Sequence, residues 1–591
     1  YLDDNIVEAD LLTPSGTSKG ATGTLTARGG HTAFTSSHVG AFWKIGAPAG
    51  SPEGQGYGEI TGFTSSTVVS ITVIKDVPAG ATDEWAEAAW SDERGWPGKV
   101  AYHKSKLWFF GSKAEPNGAW ASKPFVFDDF DPGTGLDDEG IDSSIPDTAE
   151  IRWAIGGRSL QVGTNKGLYS ANEDTALGLV PSNTSFNRQT SWPSEAIQPK
   201  IIGNYVYPIQ EGGRKVREAF YFFDEDSYKS ADVTALAEHI TKGNIVDVAY
   251  QTNPYSMAYF VLGNGNMAIM TREADQQVLA WTEFKTNGTY ESVGVIPHPT
   301  ENYDIVGAIV KRNINGTDER HVEFFENPTI PDEQDKSFYV DDGLRFDAYT
   351  SNVGGTLTLA AQTGSAIEFT AGAAVFVAGD VGQRIRAIDI DTGEILGEAE
   401  IVTFTDTTHV DVDIIKDFDA ASYVANAWGI SVNTISGLDH LEDEVVKILV
   451  DGGTHADKTV ASGDITLDDT EDGFVVAIGL GYTSRWKNMP MDAGSATGSA
   501  RGSKKRIYKA DFVLYRTLGI KVGGDEDNLN GLIFRDPATL MGQPEPFFTG
   551  TFAGAKINTT NEYEGHIVVE QTEPLPLCVL AIIPHVETYD V

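Results

Sequence analysis

The amino-acid sequence predicts an all-β, multi-domain protein. A β-propeller-like central domain is expected between two related small β-domains, followed by a C-terminal β-sandwich-like domain. Three observations carry this reading. One strand–turn–strand phrase occurs twice, nearly all other patterned segments are short strands broken by Gly, Asn, Asp and Pro, and helical spacing of apolar residues is scarce.

The repeated phrase is ITGFTSSTVVSITVIKDV, Ile60 to Val77, which aligns without a gap with IVTFTDTTHVDVDIIKDF, Ile401 to Phe418. In the first copy Val69, Ile71 and Val73 alternate with Ser70 and Thr72; in the second Val410, Val412 and Ile414 alternate with Asp411 and Asp413. Apolar side chains at every second position put one strand face on a core and the other in water. Upstream, FTSSHVG (Phe34 to Gly40) faces FVAGDVG (Phe376 to Gly382) with one residue of slippage, and downstream WAEAAW (Trp85 to Trp90) is similar to YVANAW (Tyr423 to Trp428). The two small β-domains are accordingly placed at residues 1–80 and 346–430. Two copies are too few for a solenoid, which stacks about three or more units.

Between them, residues 81–345 read as successive antiparallel hairpins with turns at Gly156-Gly157, Glu211-Gly212-Gly213 and Gly263-Asn264-Gly265. Their aromatic-rich strands favour a propeller over a sandwich. The clearest helical pattern is DVTALAEHITKG, with Asp232 as cap, Val233, Leu236 and Ile240 on one face and Gly243 as stop. Residues 431–591 are again β-rich, with a low-complexity loop from Asp492 to Arg506 and a strand that places Tyr508, Ala510, Phe512 and Leu514 on one face.

The length of 591 residues predicts about three to five domains, and the 40% hydrophobic and 22% charged content is that of a globular protein. No apolar run approaches the roughly 18 residues of a membrane-spanning helix. The single cysteine, Cys578, is expected to be an inert buried thiol and cannot form an intramolecular disulfide. A net charge of −42 repels nucleic acid and anionic membranes at long range, which makes sequence-specific DNA binding unexpected but does not exclude a passive conduit, whose negative wall would keep DNA from sticking.

Several motifs carry possible chemistry. GTSKG, Gly16 to Gly20, matches a nucleophile pattern but lies in a polar stretch with no helix to follow, so a loop is expected. DIDTGE, Asp389 to Glu394, offers oxygen ligands but lacks the helices and ligand series of a calcium loop, and reads as a hairpin turn. The eleven histidines form no metal-ligating pattern, and no cofactor or metal is expected. The acidic run Phe127 to Gly140 could hold two carboxylates at glycosidase spacing, although such loops are usually just solvated. The basic run RGSKKRIYK, Arg501 to Lys509, has three readings: a solvated loop, a contact with an acidic neighbouring subunit through Arg501, Lys504, Lys505 and Arg506, or a phosphate grip.

Longer segments resemble the tail nozzle proteins of short-tailed phages, the tail tubular protein B family. In Lys106 to Gly133, Leu107, Phe109 and Gly111, then Trp120 and Ser122, then Asp129-Phe130 fill one family pattern. Trp153, Leu160, Val162, Gly163, Thr164 and Gly167 fill a second, and DVTALAEHI a third. In the last domain Gly437, Leu438, His440, Leu441, Glu442, Val446, Asp451 and Gly452 fit a fourth, with Asp443 where glycine is usual. The resemblance spans nearly the whole chain in order. It implies a structural virion protein without catalytic activity: a hexameric ring below the tail adaptor, with possible tail-fibre or tailspike partners and a lumen through which DNA passes during ejection. In that setting the basic run becomes a bridge to an acidic neighbour. Family members carry additional β-structure before the first small domain, so a leading segment is expected to be missing here. The competing reading is a glycan-binding or glycan-cleaving β-propeller protein at a cell or virion surface.

Overall fold

The computed structural model describes residues 11–589 apart from 29–31, 47–55, 134, 173–177, 352–354, 469–471, 493, 496–497, 536, 538–543 and 558. The chain divides into two compact units, Tyr1–Lys285 with Tyr290–Val295, and Thr286–Thr289 with Ile296–Val591. Among the described residues no helix is long and apolar enough to cross a membrane.

The first unit begins with a six-stranded antiparallel sheet in the order Leu12–Pro14, Thr22–Ala27, Val68–Lys75, Gly56–Ser65, Phe42–Ile45, Trp85–Glu87. Val69, Ile71 and Val73 are buried against Leu25, Trp43 and Ile60, while Ser70 and Thr72 stay partly open, as the alternation requires. Trp85 stacks on Trp43 with ring centroids 5.1 Å apart.

Four four-stranded antiparallel meanders come next, each ordered in space as in sequence. They run from Lys99–His103 to Ile141–Ser144, Ile151–Gly156 to Phe186–Thr190, Lys200–Ile202 to Ser227–Asp232, and Ile245–Gln251 to Val278–Phe284. The opening strands of the first and second meanders lie side by side, as do those of the third and fourth. Successive sheets share cores: Trp108 and Phe110 with Val162 and Tyr169, Trp153 and Leu168 with Val206 and Tyr228, Tyr207 with Val248 and Phe260. Sheets stacked face to face with neighbouring first strands give this region its β-propeller-like form. The expected turns join paired strands, and Gly212, Gly213 and Gly265 take the positive φ that tight hairpins need.

The expected helix at Asp232 to Gly243 does not form. The strand Ser227–Asp232 runs straight into a series of turns closed by i to i+3 bonds (Ala237 N to Thr234 O, 2.8 Å; Ile240 N to Ala237 O, 2.9 Å), ending in a short 3₁₀ turn, Thr241–Gly243. Asp232 does cap, accepting from Thr234 N at 2.9 Å. Thr241, buried, donates to Arg214 O at 2.7 Å, so tertiary bonding draws the segment away from helical geometry. Val233 and Ala237 are buried, but Leu236 is 94% exposed. Leu236→Ser should therefore shift unfolding by no more than about 0.5 kcal/mol. A packed helical face would cost about 2–5 kcal/mol for losing its leucine, and chemical denaturation distinguishes the two.

The second unit holds a seven-stranded sheet in the order Ser422–Tyr423, Leu357–Leu359, Ile367–Ala371, His409–Lys416, Ile395–Asp406, Arg384–Ile388, Trp428–Ile430. Every pairing of the first copy's hairpin recurs here at the aligned position: Ile60 with Ile71 becomes Ile401 with Val412, and Phe63 with Val69 becomes Phe404 with Val410. The β-bulges recur as well, after Tyr57, Ile60 and Phe63 and after Glu398, Ile401 and Phe404. Val410 and Val412 are buried, and Ile414 packs against the same core. One expected alignment is corrected. In both copies the last strand pairs with its neighbour so that Trp85 corresponds to Trp428, because Ile45 pairs with Trp85 and Ala387 with Trp428. Trp90 instead packs edge-on against Phe109, Trp120 and Phe130.

The strand Asp341–Asp347 crosses the expected boundary at 345/346 and pairs with Val475–Leu480, which continues to Val445–Val450 and Gly453–Thr459. Two further sheets enclose one core as a β-sandwich. One contains Ser484–Lys487, Val568–Gln571, Lys521–Gly523 and Leu529–Gly531; the other contains Phe548–Lys556, Lys504–Thr517 and Val579–Tyr589. Ile507, Ala510, Phe512 and Leu514 fill the core with Val522 and Val569. Tyr508 is exposed, contrary to expectation, because a register shift between Ile507 and Lys509 turns Ile507 inward in its place.

Candidate functional site

The Gly16–Gly20 stretch links the strands Leu12–Pro14 and Thr22–Ala27, so Ser18 sits on a strand-to-strand connection rather than a strand-to-helix elbow. Asp389–Glu394 is a hairpin turn in which Asp389 Oδ1 accepts from the amides of Asp391 (3.0 Å) and Thr392 (2.9 Å). Those amides hold the Asp389 carboxyl below the usual range. In the acidic run, Asp129 takes a 2.7 Å bond from Lys123 Nζ and a 2.9 Å bond from the Asp131 amide, and Glu139 accepts from Leu136 N at 2.8 Å. Burial pushes Asp129 up, but Lys123 and the Asp131 amide outweigh it and leave the carboxyl low. A carboxylate committed to turns and held ionised is poorly suited to general-acid work, which needs a raised pKa. Among the described residues no group of three or more His, Cys, Asp and Glu is placed to hold a metal.

The basic run is a strand rather than a loop from Lys504 onward, and its alternation divides the four expected contact residues. Arg501, Lys504 and Arg506 are exposed; Lys505 is fully buried. Lys505 Nζ donates to Met491 O at 2.8 Å and to Tyr563 O at 2.7 Å, its backbone exchanges hydrogen bonds with Glu562, and its stem crosses Gly565, where a Cβ would lie 2.9 Å from Lys505 Cδ. Lys505 is thus an internal staple and is withdrawn from the expected contact set. Lys504 stands beside exposed aromatics, its Nζ 5.8 Å from the Tyr563 ring and its backbone in register with Tyr589, and Arg506 pairs in register with Glu587.

Two ion clusters, the first half-buried and the second centred on a buried arginine, escaped the sequence reading. In the second small domain Arg384 reaches Asp472 (2.8 Å) and Glu398 (2.7 Å), and Arg386 reaches Glu398 (2.9 Å) and Asp451 (3.0 Å) while lying 3.9 Å over the Phe474 ring. Asp451 also accepts from the amides of Phe474 and Val475, both at 2.9 Å. Register aligns Arg384 and Arg386 with Phe42 and Lys44 of the first copy. The divergence between copies was therefore a readable signal: where the repeat changes from Phe42 and Lys44 to paired arginine, the second copy meets Asp451, Asp472 and Phe474. The other cluster surrounds Arg312, whose guanidinium meets Glu323, Asp341 and Asp342.

No protein-family model matches the chain, and no curated protein matches it. Among solved structures it is similar to the periplasmic gluconolactonase PpgL of Pseudomonas aeruginosa (10% identity over 65% of this chain and 99% of that one, TM-score 0.24). It is also similar to apo AztD from Citrobacter koseri (9% identity, 69% and 98%, TM-score 0.25) and human WBSCR16 (11% identity, 53% and 78%, TM-score 0.25). At this degree of likeness the fold rests on the sheets described above, and no function is transferred.

Proposed function

We propose that the chain is a structural virion protein that assembles into the tail nozzle of a short-tailed phage, a ring-shaped conduit for DNA without catalytic activity of its own. The observation that carries this reading is the ordered run of nozzle-family motifs along the chain. Several of the residues that fill those motifs have structural roles. Trp153, Leu160 and Val162 are fully buried, Glu442 accepts from the amides of Ser462 and Gly463 at 2.7 Å each, and Asp451-Gly452 form a hairpin turn with positive φ at both residues. A β-rich subunit presenting different surfaces to its two neighbours can close into a ring. The exposed Arg501, Lys504 and Arg506 are the proposed contact with an acidic neighbour. A charge of −42 per chain, multiplied around a ring, would keep a polyanion off the wall, with the field screened beyond about 8–10 Å.

Negative-stain images of the purified chain mixed with tail adaptor rings test the proposal. Sixfold tubes are expected, and a high-resolution reconstruction of them should show an acidic lumen; scattered monomers, or a lumen lined by Lys and Arg, would overturn the proposal.

A further inference from the structure

We infer that the second unit carries a binding cleft for a neutral saccharide, independent of the nozzle reading. A cleft of 330 Å³ opens where the strand Val475–Leu480 passes through Gly481, Tyr482 and Thr483 into the strand Ser484–Lys487. This is the size range of small-ligand sites, at the kind of junction between sheets where they occur. Lys447 and Asp457 supply one wall from the first C-terminal sheet, and Thr572 supplies another from the end of the strand Val568–Gln571.

The polar groups are held in place before any ligand arrives. A Cβ at Gly481 would come within 2.8 Å of Lys447 Cγ, so glycine here lets the lysine stem cross. Its ammonium is then fixed between Asp457 Oδ1 at 3.1 Å and Glu573 Oε2 at 3.2 Å. Thr572 Oγ1 takes a 2.8 Å bond from Lys521 Nζ, which orients the hydroxyl. Tyr482 is 42% exposed, and burial together with the nearby Asp341 carboxylate pushes its phenol up to about 12. Tyr482 lines the cleft and leaves part of its side chain open to a ligand.

Charge and chemistry select among ligands. Two cations, Lys447 and the Lys521 that holds Thr572, are balanced by two carboxylates, Asp457 and Glu573, so no net positive charge draws an anion there. Lys447 occupies the carboxylates a metal ion would need. An apolar ligand would strip water from this charged and hydroxyl-bearing wall and replace none of its hydrogen bonds. A sugar ring offers what fits: an apolar face for Tyr482 and hydroxyls that both donate and accept, for Asp457, Thr483 and Thr572.

The test is ligand-observed saturation-transfer NMR on the full chain. The probes are neutral trisaccharides of glucose, galactose or N-acetylglucosamine, with inorganic phosphate as the anionic control. Transfer from at least one trisaccharide, and no competition by phosphate, is expected. Tyr482→Ala should weaken binding about tenfold, while Tyr482→Phe retains it and both variants melt as the parent does. Silence from every trisaccharide at millimolar concentration, displacement by phosphate, or binding unchanged in Tyr482→Ala would each overturn the inference. Ring assembly with the adaptor is read separately, so failure of either proposal leaves the other standing.

Discussion

Replacing Arg312 with methionine should destabilise the second unit by about 3–5 kcal/mol at neutral pH, because it strands buried carboxylates rather than a surface pair. The Arg312 side chain is 3% exposed. It donates to both oxygens of Glu323 (2.6 and 2.7 Å), lies 3.3 Å from Asp341 and 3.2 Å from Asp342, and gives a further bond to Asn287 O at 2.8 Å. Burial alone would lower the guanidinium pKa; the bond to Glu323 and the charges of Asp341 and Asp342 instead hold it above its ordinary value. Asp342 is raised, chiefly by its own burial, even with Arg312 pulling it down. Methionine retains the stem volume and removes that pull, so the Asp342 carboxyl must rise further. A carboxyl raised in the folded state favours folding while protonated. That contribution is complete below the unfolded value of about 3.9 and is lost as pH rises through the folded value. The deficit of Arg312→Met should therefore be largest at about pH 7 and shrink toward about pH 4. Denaturation of parent and variant at both pH values checks this, and an equal deficit at both would mean that lost packing, not stranded charge, is the cause.

Strand periodicity was the part of the fold most legible in the sequence. The alternation of Val69, Ile71 and Val73 and of Val410, Val412 and Ile414 located two domains whose ladders match pair for pair, bulges included. Bulges are also where legibility ended. A single extra residue reverses the facing of the residues beyond it in the strand, which is why Tyr508 is outside and Ile507 inside. The Asp232–Gly243 segment had helical spacing, yet its threonines and its junction with a strand decided its form, and neither effect is periodic. Cys578 was expected to be buried and is half-buried, with burial pushing its thiol up. The ion clusters and the cleft were out of reach for a different reason. Arg386 meets Asp451, and Lys447 meets Glu573, across separations in sequence that no local pattern encodes. The one local sign was the change from Phe42 and Lys44 to Arg384 and Arg386 between copies, which marks a strand that has acquired a partner.

The basic run then gives two opposite expectations within neighbouring residues. Arg501→Ser, Lys504→Ser and Arg506→Ser together should leave the melting of the isolated chain nearly unchanged, because exposed ion pairs add little to folding. They should slow assembly with adaptor rings at low salt, where several weak charge contacts steer the approach of subunits. Lys505→Ser alone should do the reverse. It empties the space beside Gly565 and leaves Met491 O and Tyr563 O without their donor, a loss of about 2–4 kcal/mol from unpaired carbonyls and an unfilled cavity. Lys505→Met separates those two causes, since it restores the stem without the ammonium and should recover the cavity part only. If Lys505→Ser melts like the parent while assembly slows, the ammonium is working at a subunit boundary and the internal staple is wrong. If the triple variant assembles at the parent rate in low salt and alters only the passage or retention of DNA, the exposed cations belong to the conduit rather than to the contact between neighbours.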